Sequence, residues 1–327
     1  MKTLLALSLL IGTSSMVSAA QYYNCATNTG CVATGNINVS SSYAKTQNPV
    51  VLAHGIAGFS NVAGVDYFYG IPADLTANGA EVFVSLASSF NASGDVRGEQ
   101  LLRQVEIISA LNQGRKVNLI GHSQGGLDSR YVAGVKPQLV ASVTSVGTPH
   151  TGTAVADLVL KVAKGEPTGL LQSVASEIVN VAAKLITGLS GGNYDQNSLG
   201  ALDTLSTAGS AKFNQRFPAG LPTTACGTGA TSVNGIKLYS WGGTQPLTNV
   251  LDPLDDLFGT SSLAFMGKAS DGMVERCSNH FGQIIRDNYS MNHGDLVNQV
   301  LGLTYLFETS PKTVYRQHVN RLKNAGL

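Results

Sequence analysis

The stretch Val117-Asn118-Leu119-Ile120-Gly121-His122-Ser123-Gln124-Gly125 decides how this chain of 327 residues is expected to fold. Its first four residues are a largely apolar run typical of a buried strand, and a helix-compatible segment follows as far as Val135. Between them lies a Gly-x-Ser-x-Gly sequence, whose small residues allow a sharp strand-to-helix turn. Because such a turn pushes the serine oxygen out at the end of the sheet, the sequence predicts that Ser123 is an exposed nucleophile.

Other apolar, β-branched runs predict further buried strands, and they lie at residues 49–53, 82–84, 140–146 and 236–241. Between two of these runs, Leu101, Val105 and Ile108 share one face of a predicted helix. Strands that alternate with helices predict an α/β fold, in which helices cover both faces of a mostly parallel sheet.

The alternation stops after Val146, since no strand-like run occurs between about 150 and 230. Two amphipathic stripes take its place. The first, at residues 155–162, ends at the turn signal Gly165-Glu166-Pro167, and the second covers residues 171–186. Periodicity alone is compatible with a core-packed helical pair and with a mobile lid.

The charge and composition of the chain exclude two classes of protein. With 21 Lys and Arg against 20 Asp and Glu, the formal net charge is +1, so the basic excess of a nucleic-acid-binding protein is missing. Charged residues make up 13% and hydrophobic residues 43%, which excludes intrinsic disorder. We expect a globular protein without a nucleic-acid partner.

The beginning of the chain has the three parts of a secretory signal peptide. Lys2 supplies the positive charge, residues 4–11 the apolar core, and Val17-Ser18-Ala19 a small-residue cleavage site. The apolar core is too short to span a bilayer, and no later stretch is typical of a membrane span. The sequence therefore predicts an exported protein without a transmembrane anchor, with a signal peptide at 1–19 and one domain at 20–327.

Export makes disulfide bonds possible for the four cysteines, which are Cys25, Cys31, Cys226 and Cys277. Their spacing fits no zinc site, and four cysteines allow three connectivities. Cys25 and Cys31 are close enough in sequence to close a small loop, in which case the other two would close a long one.

A serine oxygen needs a base to act as a nucleophile, and acyl transfer normally uses histidine. His293 fits best, because the hydrolase order is serine, acid, histidine, and because it lies in a loop just before the apolar-periodic segment 296–306. His280 is the alternative, and His122 is set aside as the neighbour of the nucleophile in the turn.

The acid that orients the histidine should lie between Ser123 and His293, in a turn beyond a late strand. Four aspartates qualify: Asp252, Asp255, Asp256 and Asp271. The sequence Ser270-Asp271-Gly272 has the tightest turn signature, which favours Asp271 over Asp252 only modestly.

Two backbone amides are needed where negative charge develops on the substrate oxygen. One is expected from Gln124, which follows the nucleophile. The other should come from a loop after an early strand, where His54-Gly55-Ile56 offers the amide of Ile56.

With these residues the chain resembles the family I true lipases of Gram-negative bacteria, the Pseudomonas and Burkholderia type. The resemblance extends from Pro49-Val50-Val51-Leu52-Ala53-His54-Gly55 through residues 96–102 to Tyr315-Arg316-Gln317-His318. It implies an α/β-hydrolase fold and a secreted triacylglycerol lipase that acts at a lipid–water interface. It also implies that Ser123, Asp271 and His293 form the catalytic triad, with the amides of Ile56 and Gln124 as the oxyanion hole.

The same resemblance implies one structural Ca²⁺ ion, bound by Asp252, Asp295 and the backbone carbonyls of Gln299 and Leu303. Such a site suits Ca²⁺, which prefers hard oxygen ligands. A cation between Asp252 and Asp295 would fix the loop that carries His293.

Further implications of the resemblance are a disulfide between Cys226 and Cys277, lid helices at about 150–200, and a membrane-anchored foldase in the periplasm. Two other functions stay open on the residues alone. One is a carboxylesterase for short, soluble esters, and the other is a non-catalytic carrier of apolar ligands, since one fold hosts many functions.

Overall fold

We describe the protein from a computed structural model, which places residues 19–26, 30–56, 61–62, 65–85, 93–169, 172–178 and 198–327. The predicted signal peptide lies outside these ranges apart from Ala19, and so does most of the second amphipathic stripe, from residue 179 onward. In the described part of the chain no helix is long and apolar enough to cross a bilayer.

A central sheet of nine strands organises the described residues. Its strands are β1 (Ala19–Ala26), β2 (Gly30–Asn38), β3 (Val50–Ala53), β6 (Val82–Ser85), β7 (Val117–His122), β8 (Val140–Val146), β9 (Ser232–Val233), β10 (Ile236–Gly243) and β11 (Gln283–Tyr289), while β4 (Asn61–Val62) and β5 (Val65–Asp66) form a separate pair. The order across the sheet is β11-β10-β8-β7-β3-β6-β1-β2, with β9 on β10. Every pairing is parallel except β1 with β2 and β9 with β10, so the prediction of a mostly parallel sheet is confirmed.

All five strands that the apolar runs predict are present, as β3, β6, β7, β8 and β10. The apolar runs do not predict the hairpin of β1 and β2, the short strand β9 or the strand β11 of this sheet. Most residues of β2 and β11 are partly or fully exposed, because these strands form the two edges of the sheet. Edge strands of this kind carry many polar residues and lack the continuous apolar run of a central parallel strand.

Helices cover both faces of the sheet. They are α1 (Ile71–Ala77), α2 (Gly94–Leu111), α3 (Gln124–Val135), α4 (Ala154–Ala163), α5 (172–178), α6 (Ser198–Leu205), α7 (Thr207–Arg216), α8 (Asp255–Ser262) and α9 (Pro311–Asn324). In β3, Val50 and Leu52 belong to the apolar cluster that contains α1 and α9. Val51 and Ala53 belong to the cluster that contains α2 and α3. Successive side chains of a strand point to opposite faces, so β3 is buried on both.

The first amphipathic stripe forms α4, and its apolar face is buried. Val155 and Leu158 pack with Ala175 and Ile178 of α5 against Phe265, which follows α8. As predicted, the described residues between 150 and 230 contain no strand. The described part of both stripes is therefore packed against the body of the protein.

The apolar-periodic segment 296–306 does not form a helix of that length. A single helical turn, Asp295–Val297, ends at Asn298, whose φ of 64° is left-handed. Leu301 also has a positive φ, of 54°, and Leu306 is exposed. These backbone angles break the helical path, so the segment is a loop that is buried as far as Gln299 and partly or fully exposed after it.

Both disulfide bonds are present, Cys25 with Cys31 and Cys226 with Cys277, so one of the three connectivities is realised. The second bond joins cysteines that are 51 residues apart, and the first joins cysteines that are 6 apart. The long loop carries Asp252 and Asp271.

We expect the Cys226→Ala/Cys277→Ala double variant to lose up to about 4 kcal/mol of unfolding free energy, because a long loop is freed in the unfolded chain. The Cys25→Ala/Cys31→Ala variant is the matched control, and its short loop predicts a loss of about 2 kcal/mol. Urea unfolding followed by circular dichroism measures both. A larger loss in the control variant would contradict the loop-length argument.

Candidate active site

Ser123 lies in the sharp turn between β7 and α3, with φ 54° and ψ −127°. A positive φ is strained for a serine, and the surrounding contacts must hold it. The Ser123 amide donates to the carbonyl of Val146 at 2.8 Å. A Cβ atom on Gly121 would lie 2.2 Å from the carbonyl oxygen of Gly125, and one on Gly125 would lie 2.3 Å from that of Ala53. Glycine is therefore required on both sides of the turn.

The expectation of an exposed Ser123 is wrong, because only 7% of the residue is accessible. The loop after β3 lies against it. A Cβ atom on Gly55 would come within 2.7 Å of Ser123 Cβ and within 3.2 Å of Ser123 Oγ. The turn does bring the serine to the end of the sheet, but other loops cover it there.

His293 and Asp271 form a buried pair, with 2.7 Å between His293 Nδ1 and Asp271 Oδ2. The other carboxylate oxygen of Asp271 accepts the amides of Met273, at 2.9 Å, and Val274, at 2.7 Å. The amide of His293 also donates to the carbonyl of Asp271 at 2.9 Å. An ionised carboxylate can only accept, so the proton lies on Nδ1 and Nε2 is left as a base.

The alternative base His280 and two of the alternative acids, Asp252 and Asp255, have other partners. His280 Nε2 lies 2.9 Å from Asp287, which is also paired with Arg276. Asp255 accepts the backbone amides of Thr248 and Asn249. Among the candidates named from sequence, the structure brings together His293 and Asp271.

The strand ends connect this pair to Ser123. Val146, which accepts the Ser123 amide, precedes Gly147, and a Cβ atom there would lie 3.2 Å from Asp271 Oδ2 and 3.3 Å from His293 Nδ1. Ser123, Gly147 and the acid–base pair thus meet at the carboxyl end of the parallel sheet, where α/β proteins place their sites.

The loop His54-Gly55-Ile56 is held by a buried arginine. Arg97 Nη2 donates to the carbonyl of His54 at 2.9 Å and to that of Gly55 at 3.3 Å, and the guanidinium pairs with Asp128 at 2.9 Å. Within the described ranges, the amides of Ile56 and Gln124 donate no backbone hydrogen bond. Both predicted amides are thus available to a ligand beside Ser123.

Two residues that the sequence analysis did not assign to the site link its loops. Tyr67 Oη accepts the amide of Gly55 at 3.1 Å and lies 2.6 Å from His122 Nδ1. His122 Nε2 lies 3.1 Å from the carbonyl of His293, which can only accept, so Nε2 carries the proton and Tyr67 donates to Nδ1. Burial and the neighbouring His293 hold the pKa of His122 well below its usual value, which keeps it neutral.

His122 is not the base, because both of its ring nitrogens are engaged, but its ring lies against that of His293, with 4.5 Å between centroids. No local pattern identifies Tyr67 or His122 as partners, because they are 55 residues apart in sequence. Arg97 did carry a signal, since it lies inside the stretch 96–102 on which the family resemblance rests.

Asp252 and Asp295 are buried, at 4% and 0% exposed, and each has one carboxylate oxygen without a hydrogen-bond partner. Burial and the carboxylates of Asp252 and Asp255 raise the pKa of Asp295 to about 7. The carbonyls of Gln299 and Leu303 accept no backbone hydrogen bond from the described residues. These unpaired hard oxygens fit a calcium ion.

A metal site could also be built from side chains alone. In the ranges that the structure describes, no group of three or more His, Cys, Asp and Glu side chains is arranged to hold a metal. A site of two aspartates with backbone carbonyls does not require such a group.

Comparisons with known proteins agree with the fold. A family model described as alpha/beta hydrolase fold matches residues 48–295. A Vibrio cholerae protein named triacylglycerol lipase is 52% identical over 287 residues, which are 87% of this chain and 90% of that protein. Proteins of the same name from Burkholderia plantarii and Pseudomonas fragi are 46% and 39% identical, covering 88% and 86% of this chain and 89% and 98% of their own lengths.

Solved structures show the same architecture. A Bacillus licheniformis lipase in its mature form aligns with a TM-score of 0.58 at 19% identity, covering 88% of this chain and 100% of that one. A Staphylococcus hyicus lipase aligns with a TM-score of 0.53 at 17% identity, covering 86% and 97%. The fold and the family expected from the motifs are confirmed.

We expect Gly55→Ala to slow the reaction of Ser123 with an organophosphonate by about 10²-fold, since displacement of the loop misplaces the reacting groups. Mass spectrometry of the modified protein measures the rate. The matched control is Gly200→Ala in α6, where, among the described residues, a Cβ atom would have no neighbour nearer than 3.8 Å. Equal rates in the two variants would show that the close approach at Gly55 has no effect on Ser123.

Proposed function

The chain belongs to the alpha/beta hydrolase family, and we propose that it is a lipase that hydrolyses the carboxylic esters of long-chain triacylglycerols at a lipid–water interface. The observation that carries this proposal is the 52% identity to a triacylglycerol lipase over 87% of the chain. His293 also pairs with Asp271 near Ser123, which lies in a strand-to-helix turn, and this arrangement supports ester hydrolysis.

In the proposed mechanism, Ser123 is the nucleophile, His293 the base and Asp271 the acid that orients it. Nε2 of His293 takes the proton of Ser123 Oγ while that oxygen bonds to the acyl carbon of the ester. The bond to the glycerol oxygen then breaks, and His293 returns the proton to that oxygen. Water repeats the two steps, which releases the fatty acid and restores Ser123.

The negative charge on the tetrahedral intermediate needs two donors near Ser123. We assign this role to the amides of Ile56 and Gln124, which donate no backbone hydrogen bond in the described ranges. Arg97 and Tyr67 hold the loop of Ile56 in place, through the carbonyls of His54 and Gly55 and the amide of Gly55.

We propose that Asp252 and Asp295 bind one calcium ion with the carbonyls of Gln299 and Leu303. The ion would neutralise two buried carboxylates and would supply a structural link only. Asn292 and Asp295 form two reciprocal hydrogen bonds. The backbone amide of Asn292 donates to Asp295 Oδ2 at 3.1 Å, and the side-chain oxygen of Asn292 accepts the backbone amide of Asp295 at 2.8 Å. Because His293 lies between Asn292 and Asp295 in the sequence, an ion that holds Asp295 in place would also hold the base in place.

The remaining expectations concern how the enzyme reaches its substrate. We propose that α4, α5 and the chain up to about 200 form a lid. The apolar face of this lid packs against Phe265 and would bind lipid once the lid moves away from that residue. We also propose export through the periplasm after cleavage of residues 1–19, with help from a foldase. The presence of two disulfides suits an exported protein.

The decisive variant is Ser123→Ala, which should abolish the hydrolysis of emulsified triolein because the nucleophile is removed. Fatty-acid release in a pH-stat measures the activity, and circular dichroism shows that the variant folds. Ser42→Ala, at an exposed serine, is the control and should keep the activity. Full activity in a folded Ser123→Ala variant would refute the mechanism.

The same assay separates the lipase from a carboxylesterase. We expect the wild-type rate on tributyrin to increase sharply once droplets form, because a lid opens at an interface. Saturation below the solubility limit would indicate an esterase for soluble substrates. A folded protein that neither hydrolyses esters nor reacts with a fluorophosphonate would be a carrier.

For calcium, we expect EGTA to lower both the melting temperature and the activity, because the link to the loop of His293 is lost. Isothermal titration calorimetry should detect one Ca²⁺ per chain, and Asp252→Asn should abolish it. Asp256→Asn removes an exposed carboxylate nearby and is the control, which should bind Ca²⁺ normally. No change with EGTA, together with no calorimetric binding, would exclude the site.

A further inference from the structure

Two loops of the protein expose large apolar side chains to solvent. The first comprises residues 244–251 and precedes α8, and the second comprises residues 299–307 and precedes α9. Large apolar groups are exposed on monomeric proteins mostly as single residues, and a group of them marks a surface that binds a partner or a membrane. The exposed side chains are Val250 (100%), Phe307 (87%) and Leu306 (85%), with Leu251, Leu247 and Leu301 each more than half exposed.

The two loops lie side by side. The side-chain amide of Asn249 donates to the carbonyl of Thr304 at 3.3 Å, which joins one loop to the other. Val250 follows Asn249 directly, and Leu306 comes two residues after Thr304. The six exposed side chains therefore belong to one region of the surface, the apolar patch.

Hydrogen bonds constrain the backbone of both loops. In the first, the carboxylate of Asp255 accepts the amides of Thr248, at 2.7 Å, and Asn249, at 2.8 Å. In the second, the amide of Gly302 donates to the carbonyl of Asn298 at 2.9 Å. The apolar patch is thus presented by a bonded backbone and does not lie on a chain end.

The helix α8 connects the apolar patch with the proposed lid. Leu247 lies against this helix, since a Cβ atom on Gly259 would come within 2.7 Å of the leucine side chain. Beyond the other end of α8, Phe265 packs against α4 and α5, and its neighbours Leu263 and Met266 are exposed. The helix has eight residues, a length of about 12 Å. Exposed apolar side chains therefore continue from the patch to the edge of the lid.

Neither loop carries a charged side chain. Residues 244–251 and 299–307 contain no Asp, Glu, Lys, Arg or His. Of the residues that directly follow the loops, Asp252 is buried, and Glu308 is paired with Arg286 at 2.8 Å. A surface that attracts an anionic membrane or a charged protein has an excess of one sign of charge. The apolar patch instead complements an uncharged apolar surface.

We propose that the apolar patch is a fixed docking surface for the uncharged surface of a triacylglycerol droplet, and that it docks while the lid is still closed. The apolar face of α4 and α5 is buried against Phe265, so the closed lid cannot supply the first contact with lipid. The patch supplies it and brings the lid to the interface at which the lid opens. An uncharged apolar occupant follows from the patch alone, whereas its identity as triacylglycerol rests on the proposed function.

Flotation with triolein droplets tests the docking surface, using Ser123→Ala protein so that the lipid is not consumed. We expect the further changes Val250→Ser, Leu306→Ser and Phe307→Ser together to weaken droplet binding at least tenfold, because three apolar side chains no longer leave water. Each of the three is at least 85% exposed, so the fold should be kept, and circular dichroism checks this. Val250→Ser alone, at the fully exposed position, should weaken binding severalfold and decides the matter if the triple variant does not fold.

The matched control is Val32→Ser/Leu111→Ser, which removes two exposed apolar side chains from β2 and α2. It should bind droplets as tightly as Ser123→Ala protein does. Equal droplet binding by the control and by the folded triple variant would overturn the proposal.

Salt and self-association separate the other occupants. Raising NaCl from about 0.05 M to about 0.5 M should leave droplet binding intact, because the patch has no charge that salt could screen. A tenfold loss at the higher concentration would indicate electrostatic docking and overturn the proposal. Sedimentation velocity should give the same mass for the wild type and the triple variant. A wild-type dimer that dissociates in the triple variant would assign the patch to a second copy of the chain and also overturn it.

The outcome is separate from that of the lipase assay. When Ser123 is intact, the triple variant should react with a soluble fluorophosphonate at the wild-type rate, because the patch lies outside the candidate active site. A protein that binds droplets through the patch but does not hydrolyse triolein would contradict only the proposed function. A triple variant that binds droplets and hydrolyses triolein like the wild type would contradict only the docking surface.

Discussion

The positive φ of Ser123 is the constraint on which the arrangement of the site depends. An L-residue holds this backbone angle only when its neighbours leave no alternative. Here the neighbours are the glycines at 121 and 125, which let the turn approach within contact distance of the ends of β3 and β7. Because those strands are central and buried on both faces, the strained turn is anchored in the buried centre of the sheet.

From this turn the polar contacts spread to loops that are distant in sequence. His122, the residue before the nucleophile, is bonded through its ring to Tyr67 on one side and to the carbonyl of His293 on the other. One neutral imidazole thereby connects the loop beside Gly55 with the loop of the base. Burial keeps His122 neutral, which maintains its two different roles as acceptor and donor.

The central strands and the serine turn could be predicted because each is encoded by a continuous local pattern. The edge strand β11 could not, since its residues are half exposed and its position depends on pairing with β10. The choice of Asp271 over Asp252 needed the resemblance, because both lie in polar turns of one disulfide loop. The contact between Tyr67 and His122 had no local signal, because the two residues are 55 apart in sequence.

Arg97 restricts the orientation of one peptide plane, the one that joins Gly55 to Ile56. The carbonyl of Gly55 and the amide of Ile56 belong to one planar unit and point in opposite directions. Arg97 and the ring of His54, at 3.3 and 2.8 Å, both fix the carbonyl end. The plane therefore cannot rotate, and the amide of Ile56 keeps its direction before any substrate arrives. A side chain on the far side of the loop thus sets the orientation of a dipole without touching the ester.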